Sequence, residues 1–264
     1  MNITINDINI EYRDEGYGLP VIFIHAFPLN QTMWDEQVAA LKNHCRVITL
    51  DLRGFGKSDV PAGPYSMDQM ASDVRGLMAA LDIDRATLVG LSMGGYISLA
   101  FYRNYPDAVR AMALADTRAS ADTKEARERR IKSAERAERE GAKAIADDMV
   151  PVALARSTVK LRPDIVERMR AMAEANSPEG IAAAQRGMSE RRDSTYILAA
   201  IDFPTLIIVG SEDALTPVAE SEALRDGIRG ASMHVIEGAG HLSNLESPHE
   251  FNSTLTQFIN SLKD

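Results

Sequence analysis

The stretch that decides the fold is Ala86–Tyr96, ATLVGLSMGGY. The apolar run Ala86 to Val89 reads as a buried strand, and a helix-like segment begins at Met93. Between them sits Ser92, fenced by Gly90, Gly94 and Gly95. In so tight a strand-to-helix turn the central residue enters a sparsely populated backbone region, tolerable only if the residues two before and two after lack bulky side chains. Gly90 and Gly94 meet that requirement. The turn would lift the Ser92 hydroxyl above the carboxyl end of a sheet, where open α/β folds bind ligands, with helix N-terminal amides aimed at the same spot. A chance Gly-x-Ser-x-Gly is the bland alternative; the flanking strand and helix favour a nucleophile.

Working outward, Val21–Phe27 (VIFIHAF) is another continuous apolar run, as expected of a strand buried on both faces. Strand-like and helix-like segments then alternate: QTMWDEQVAALKNH, CRVITLDL, the glycine-rich loop RGFGKSDVPAGPY, MDQMASDVRGLMAALD, ATLVGL, MGGYISLAFYRNYPDAV and RAMALAD. From about Thr117 to Asp202 no strand-like run occurs. Charged and alanine-rich segments separated by Gly141, Pro151, Pro163 and Pro178 predict three or four helices there. Strand FPTLIIVG, helix VAESEALRDGI, strand ASMHVIEG and helix HEFNSTLTQFINSL resume the alternation. The order predicts an α/β fold: a mostly parallel sheet flanked by helices, with a helical lid inserted late. The expected division is a core of residues 1–118 and 200–264 and a lid of residues 119–199.

The chain has 264 residues, 45% hydrophobic and 25% charged, the make-up of an ordered globular protein. A net charge of −9 without a concentrated basic stripe argues against nucleic acid and anionic membranes as partners. The N-terminus lacks a basic start and an apolar signal core, and no apolar run approaches the ~18 residues of a membrane span. One cysteine, Cys45, allows no intrachain disulfide. A cytoplasmic protein is the expectation.

A serine hydroxyl is a weak nucleophile near neutrality, so a base must take its proton and an acid must orient that base. Of His25, His44, His234, His241 and His249, only His241 follows a strand in a glycine-flexed loop at the carboxyl end of the sheet. His44 and His249 read as surface residues and His234 lies within a strand. His25 ends its strand and reads as a buried residue organising the next loop. Two acids compete. Asp213, in VGSEDALTP, completes the order serine, acid, histidine, whereas Asp116 ends RAMALAD; Asp213 is preferred, with Glu212 beside it as a confounder. The oxyanion of an attacked carbonyl needs preorganised N–H donors, for which the Met93 amide and, from the HAFPLN loop, the Phe27 amide are the candidates.

The set HAFP (25–28), DLRGFGKSD (51–59), GLSMGGY (90–96), GSEDALTP (210–217) and GAGHLSNLESP (238–248) resembles the α/β-hydrolase superfamily over essentially the whole chain. The likeness is to its serine carboxylesterases and oxoadipate enol-lactone hydrolases. That resemblance implies about eight strands with the lid after the sixth, a triad of Ser92, Asp213 and His241, and an oxyanion hole of the Met93 and Phe27 amides. The chain departs from the pattern at Ala26, where family members commonly carry glycine; this puts the loop conformation and the Phe27 donor in question. DLRGFGKSD is taken as structural. Dehalogenases and epoxide hydrolases of the fold use an aspartate nucleophile, which position 92 excludes. Three readings remain: a hydrolase of small carboxylic esters acting through an acyl-enzyme, a lactone or carbon–carbon bond hydrolase, and a non-catalytic ligand receptor. The first is preferred, needing no metal or cofactor. Arg118, at the root of the lid, is the candidate anchor for a substrate carboxylate.

Within the lid, KEARERRIKSAERAERE pairs Glu125 with Arg129, Glu128 with Lys132 and Glu135 with Arg139 at i,i+4, the pattern of a solvated helix. Met149, Met169, Met172 and Met188 read first as core, although flexible methionines would suit loosely specified acyl groups. A lid over the nucleophile implies a closed, mostly apolar pocket, with activity rising from acetate towards butyrate and then falling.

Overall fold

The structure, a computed structural model, describes residues 1–262. Positions 263 and 264 of the expected core range lie outside the described residues. Eight strands form one sheet: β1 (Asn2–Ile5), β2 (Ile8–Glu15), β3 (Pro20–Ile24), β4 (Arg46–Leu50), β5 (Ala86–Leu91), β6 (Val109–Ala115), β7 (Thr205–Gly210) and β8 (Ser232–Ile236). Their spatial order is β1-β2-β4-β3-β5-β6-β7-β8. The pairings of β2 with β1 and β4 are antiparallel, and all others are parallel. The central strands are apolar throughout because both faces are covered. Ile22 and Ile24 of β3 join one core layer while Val21 and Phe23 join the other.

Helices α1 (Asp35–Leu41), α2 (Met67–Ala80) and α3 (Met93–Asn104) connect the first strands. Ser66 caps α2 by accepting from the Gln69 amide at 3.1 Å, satisfying one of the orphan donors of its first turn. Helices α9 (Val218–Gly227), α10 (Ser243–Glu246) and α11 (Pro248–Ser261) follow β7 and β8. Between β6 and β7 lie α4 (Lys124–Glu140), α5 (Ala142–Ala153), α6 (Arg156–Leu161), α7 (Pro163–Glu174) and α8 (Pro178–Ser189). That is five helices where three or four were expected.

Of the four expected separators only Pro151 fails to end a helix. It lies inside α5, in the last turn, and the break comes instead at Leu154 and Ala155. There the carbonyl of Ala153 accepts from the amides of His241 and Leu242, at 3.0 and 3.2 Å. A tertiary contact stops the helix, which no local pattern announces. The intrahelical pairs expected in α4 do not close as ion pairs. Arg136 bonds Glu140 at 2.9 Å, Lys124 reaches Glu128 at 4.0 Å, and Glu138 is drawn across to Arg186 of α8 at 2.6 Å. Ala134 and Ala137 are buried, so α4 is packed along one side, not solvated all round.

Beside the sheet, Arg53 and Asp73 form a two-pronged ion pair at 2.6 and 2.7 Å, with side chains 4% and 0% exposed. Asn6 adds a further donor to Asp73 at 2.9 Å. Removing one partner of a buried pair leaves an uncompensated charge. Arg53→Met is therefore expected to lower unfolding free energy by ~3–5 kcal/mol, read from urea unfolding midpoints at constant slope.

Candidate active site

Ser92 takes φ 56° and ψ −111°, a left-handed conformation that L-residues seldom adopt. No Cβ fits around it. A Cβ at Gly90 would lie 2.3 Å from the Gly94 carbonyl oxygen, and one at Gly94 would lie 2.1 Å from that of Ile24. Thr117 donates from Oγ1 to the Ser92 carbonyl at 2.8 Å, tying the turn to the end of β6. The hydroxyl stands half-buried at the start of α3.

Ser92 Oγ is 2.8 Å from His241 Nε2, and His241 Nδ1 is 2.8 Å from Asp213 Oδ2. The three predicted residues thus form one unbroken line. His241 is held from behind: Glu246 accepts from the Gly240 amide at 2.9 Å and from the Ala155 amide at 2.9 Å. Asp213 also accepts from the amides of Leu215 and Thr216, at 2.8 and 2.9 Å, and from Thr216 Oγ1 at 2.6 Å.

Asp116 is fully buried nearby but bonds elsewhere, accepting from the Gly210 amide at 2.9 Å and from Ser243 Oγ. The donor sets separate the two acids electrically. Burial, and then the Asp213 carboxylate, push Asp116 well above the ordinary carboxylate range. For Asp213 burial also favours the neutral acid, yet the His241 charge and the Thr216 donors outweigh it and leave its value lowered. Burial likewise disfavours the His241 imidazolium, but Asp213, with Asp116 and Glu246, overcomes it and raises His241 above 6.5. Glu212 is exposed.

The Met93 and Phe27 amides have no acceptor among the described residues, leaving two donors beside Ser92. The departure at Ala26 is accommodated: Ala26 is not among the residues with positive φ, and its amide points to Met33 Sδ at 3.2 Å. His25 organises this loop. Its Nδ1 is 3.0 Å from the Ala26 carbonyl and its Nε2 accepts from the Leu52 amide at 3.1 Å, a neutral tautomer that burial favours by lowering its pKa. His44 and His249 are exposed, and His234 Nε2 is 2.8 Å from Glu250.

Sequence reasoning missed Asn176. Its Nδ2 donates to the Pro28 carbonyl at 2.7 Å, and its Oδ1 accepts from the Gly56 amide at 2.6 Å, joining the Phe27 loop to RGFG. Thr216 and Glu246 were missed as well. A threonine directly after a leucine, or a glutamate in a helical turn, carries no signal before folding brings its partners close.

A cavity of about 450 Å³ holds Ser92 and His241 at its floor. Phe27, Met149, Val152, Met188 and Leu215 give it apolar surface, while Arg118, Arg129, Arg130 and Asp148 also line it. The cavity is not closed as expected, since Thr123, Arg129, Asp148 and Val152 are exposed at its rim; its exposed lining is mostly apolar, as expected, with the arginines set into it. Met169 and Met172 are buried core residues away from it. No described helix is long and apolar enough to cross a membrane.

A family model described as alpha/beta hydrolase fold matches residues 20–248. The sequence is 31% identical over 252 residues to 3-oxoadipate enol-lactonase 2 of Acinetobacter baylyi, across 95% of this chain and 92% of the relative. A solved thermophilic esterase from Thermogutta terrifontis, with malate bound, superposes with TM-score 0.97 at 41% identity, covering 100% of this chain and 99% of that one. The enol-lactonase from Burkholderia xenovorans superposes with TM-score 0.92 at 31% identity, covering 98% of this chain and 100% of that one.

The Ser92 turn has no slack, because the atoms facing Gly94 are backbone. Gly94→Ala is expected to destabilise by ~3 kcal/mol or more, or to abolish soluble expression. Denaturant titration beside the unaltered protein measures it; a midpoint within error of the parent would contradict the crowding.

Proposed function

The chain belongs to the α/β-hydrolase family, and we propose that it hydrolyses small carboxylic esters through an acyl-enzyme on Ser92. What supports this reading is the unbroken line Ser92–His241–Asp213 at 2.8 Å per step, beside two unengaged amides in a ligand-sized cavity. In the reaction, His241 Nε2 takes the Ser92 proton as Oγ attacks the carbonyl. The Met93 and Phe27 amides donate to the tetrahedral oxyanion. Collapse breaks the ester C–O bond, and His241 returns the proton to the departing alcohol. Water, deprotonated by the same imidazole, then attacks the acyl-serine and releases the acid. Asp213 holds the tautomer with Nδ1–H and offsets the transient imidazolium.

A second reading, lactone hydrolysis, is favoured by the two enol-lactonase relatives and by the arginines of the cavity wall. It uses the same steps with the leaving alkoxide still tethered to the acyl group.

Ser92→Ala should reduce p-nitrophenyl butyrate turnover to background with unchanged circular dichroism, and a phosphonate probe should label the parent at Ser92. Labelling at another serine would end this reading.

The acid assignment has its own test. Asp213→Asn should cost on the order of 10³–10⁴ in kcat, since Nδ1 then loses its carboxylate acceptor. Asp116→Asn should cost less than about tenfold, because a neutral amide still accepts from Gly210 and an already disfavoured charge is all that is removed. Since only neutral His241 can accept the proton and its pKa is raised, kcat/KM should climb with pH through an inflection above 6.5. In Asp213→Asn that inflection should move to lower pH; the reverse pattern between the two variants would transfer the role to Asp116.

A further inference from the structure

The arginine-bearing part of the cavity wall is built around a buried acid. Asp122, its side chain 1% exposed, is met by three guanidiniums: Arg118 Nη2 at 2.6 Å, Arg191 Nη2 at 3.2 Å, and Arg130 Nε. Opposed by burial but held by Arg130 first and by Arg191 and Arg118, its carboxyl is lowered to about 2, so it stays charged. Arg191 also stacks over the Tyr96 ring, 3.9 Å from the centroid, and Tyr96 lines the cavity.

One carboxylate does not neutralise three arginines, and sequestered cationic charge without a counterion is unfavourable. Two further acids reach the cluster, but both have other donors: Glu220 accepts from Ser120 Oγ at 3.1 Å, and the exposed Asp193 accepts from the Ala121 and Thr195 amides at 2.9 and 2.8 Å. At the rim Asp148 is paired with Arg136, whereas Arg129 makes no close ion pair among the described residues and acts on Glu125 only at longer range. Donors also remain free. Arg118 Nη1 and Arg130 Nη2 bond nothing in the described residues and, unlike Arg118 Nε, are not sealed from solvent. Because both residues line the cavity, these are the guanidinium N–H groups available to it, fixed from behind by Asp122, and by Gln185 at 3.2 Å from Arg130 Nη1.

We infer that this wall is an anion subsite, and that the enzyme's preferred substrates are esters or lactones carrying a second, free carboxylate, held by Arg118 and Arg130 while Ser92 attacks the acyl carbon. The inference rests on the hydrolase reading for its reaction, but the subsite itself does not. A planar carboxylate matches the guanidinium fork, and partly buried arginines already ordered by Asp122 lose little freedom on binding it. Half-esters of short dicarboxylic acids are the simplest class that fits, with carboxylate-bearing lactones close behind.

Two measurements test this separately. In the first, kcat/KM is compared for size-matched pairs: mono-p-nitrophenyl glutarate against p-nitrophenyl valerate, and 4-acetoxybenzoate against 4-acetoxybenzamide. At least one anionic member should exceed its neutral partner by about tenfold to a hundredfold, chiefly through KM, with the advantage shrinking as salt rises. Arg118→Gln, in which Asp122 keeps Arg130 and Arg191, should bring that ratio towards one, and Arg118→Lys should restore part of it. No preference for either anionic substrate overturns the inference. In the second, glutarate binding to Ser92→Ala protein is measured by calorimetry beside neutral glutaramide. Glutarate should bind, and at least tenfold more weakly when Arg118→Gln is added; equal binding of acid and amide overturns the subsite. Glutarate binding without hydrolysis of any ester would leave the subsite standing and remove the hydrolase reading. Turnover of neutral esters without anion preference would do the opposite.

Discussion

The site depends on a lack of room around one left-handed serine. With Gly90 facing the Gly94 carbonyl, Gly94 facing the Ile24 carbonyl and Gly95 against Thr117, the first turn of α3 is pressed onto the ends of β3, β5 and β6. Such a backbone conformation is unfavourable by itself and persists only where its surroundings over-determine it. Here they do so through three parallel strands already locked by packing on both faces. The same crowding brings the Met93 and Phe27 amides to the serine, because Gly94 and the end of β3 are in contact. Nucleophile and oxyanion donors are thus consequences of one close approach, and a Cβ at position 94 would separate both.

Around that turn, electrostatics sorts groups that composition leaves equivalent. Asp213 and Asp116 are both buried aspartates at strand ends within reach of His241's field. Asp213 gathers four donors and keeps its charge; Asp116 has two and is pushed towards neutrality. Two like charges so near one imidazole would oppose each other, and unequal hydrogen bonding resolves the conflict. Ser243, which bonds Asp116, belongs to the same loop and helix as His241, so the neutral acid still serves as a fixed strut.

This explains which parts were legible in the sequence. Apolar runs such as ATLVGL and VIFI announce strands covered on both faces, and a glycine-fenced serine after one of them announces the turn, since each signal is local. His241 and Asp213 were legible because the order of strands places their loops at one edge of the sheet. Asn176, Thr216 and Glu246 act through partners made adjacent only by folding, and their own neighbourhoods in the chain carry no mark of it. The end of α5 was misplaced at Pro151 for a related reason: a proline in a last turn removes little, whereas the Ala153 carbonyl is claimed by the His241 loop. An α4 arginine in the mostly apolar cavity was not expected because charged residues of α4 were assigned to solvent, yet Arg130 lies on the inner side, drawn to Asp122.

The helices between β6 and β7 are therefore bound into the chemistry more closely than a cover would be. Ala153 and Ala155, at the break between α5 and α6, hold the His241 loop through its amides and through Glu246. Asn176, after α7, holds the Phe27 loop. Arg130 of α4 lines the cavity and Gln185 of α8 braces it from the facing helix. One segment thus contacts the base, the oxyanion loop and the cavity wall through separate hydrogen bonds. Repacking its helices to change the wall would also disturb Ala153 and Asn176, and with them the positions of His241 and the Phe27 amide. Wall residues that face the cavity without bracing either loop, Arg129 and Met149 among them, are the positions where specificity can vary with least effect on the reacting groups.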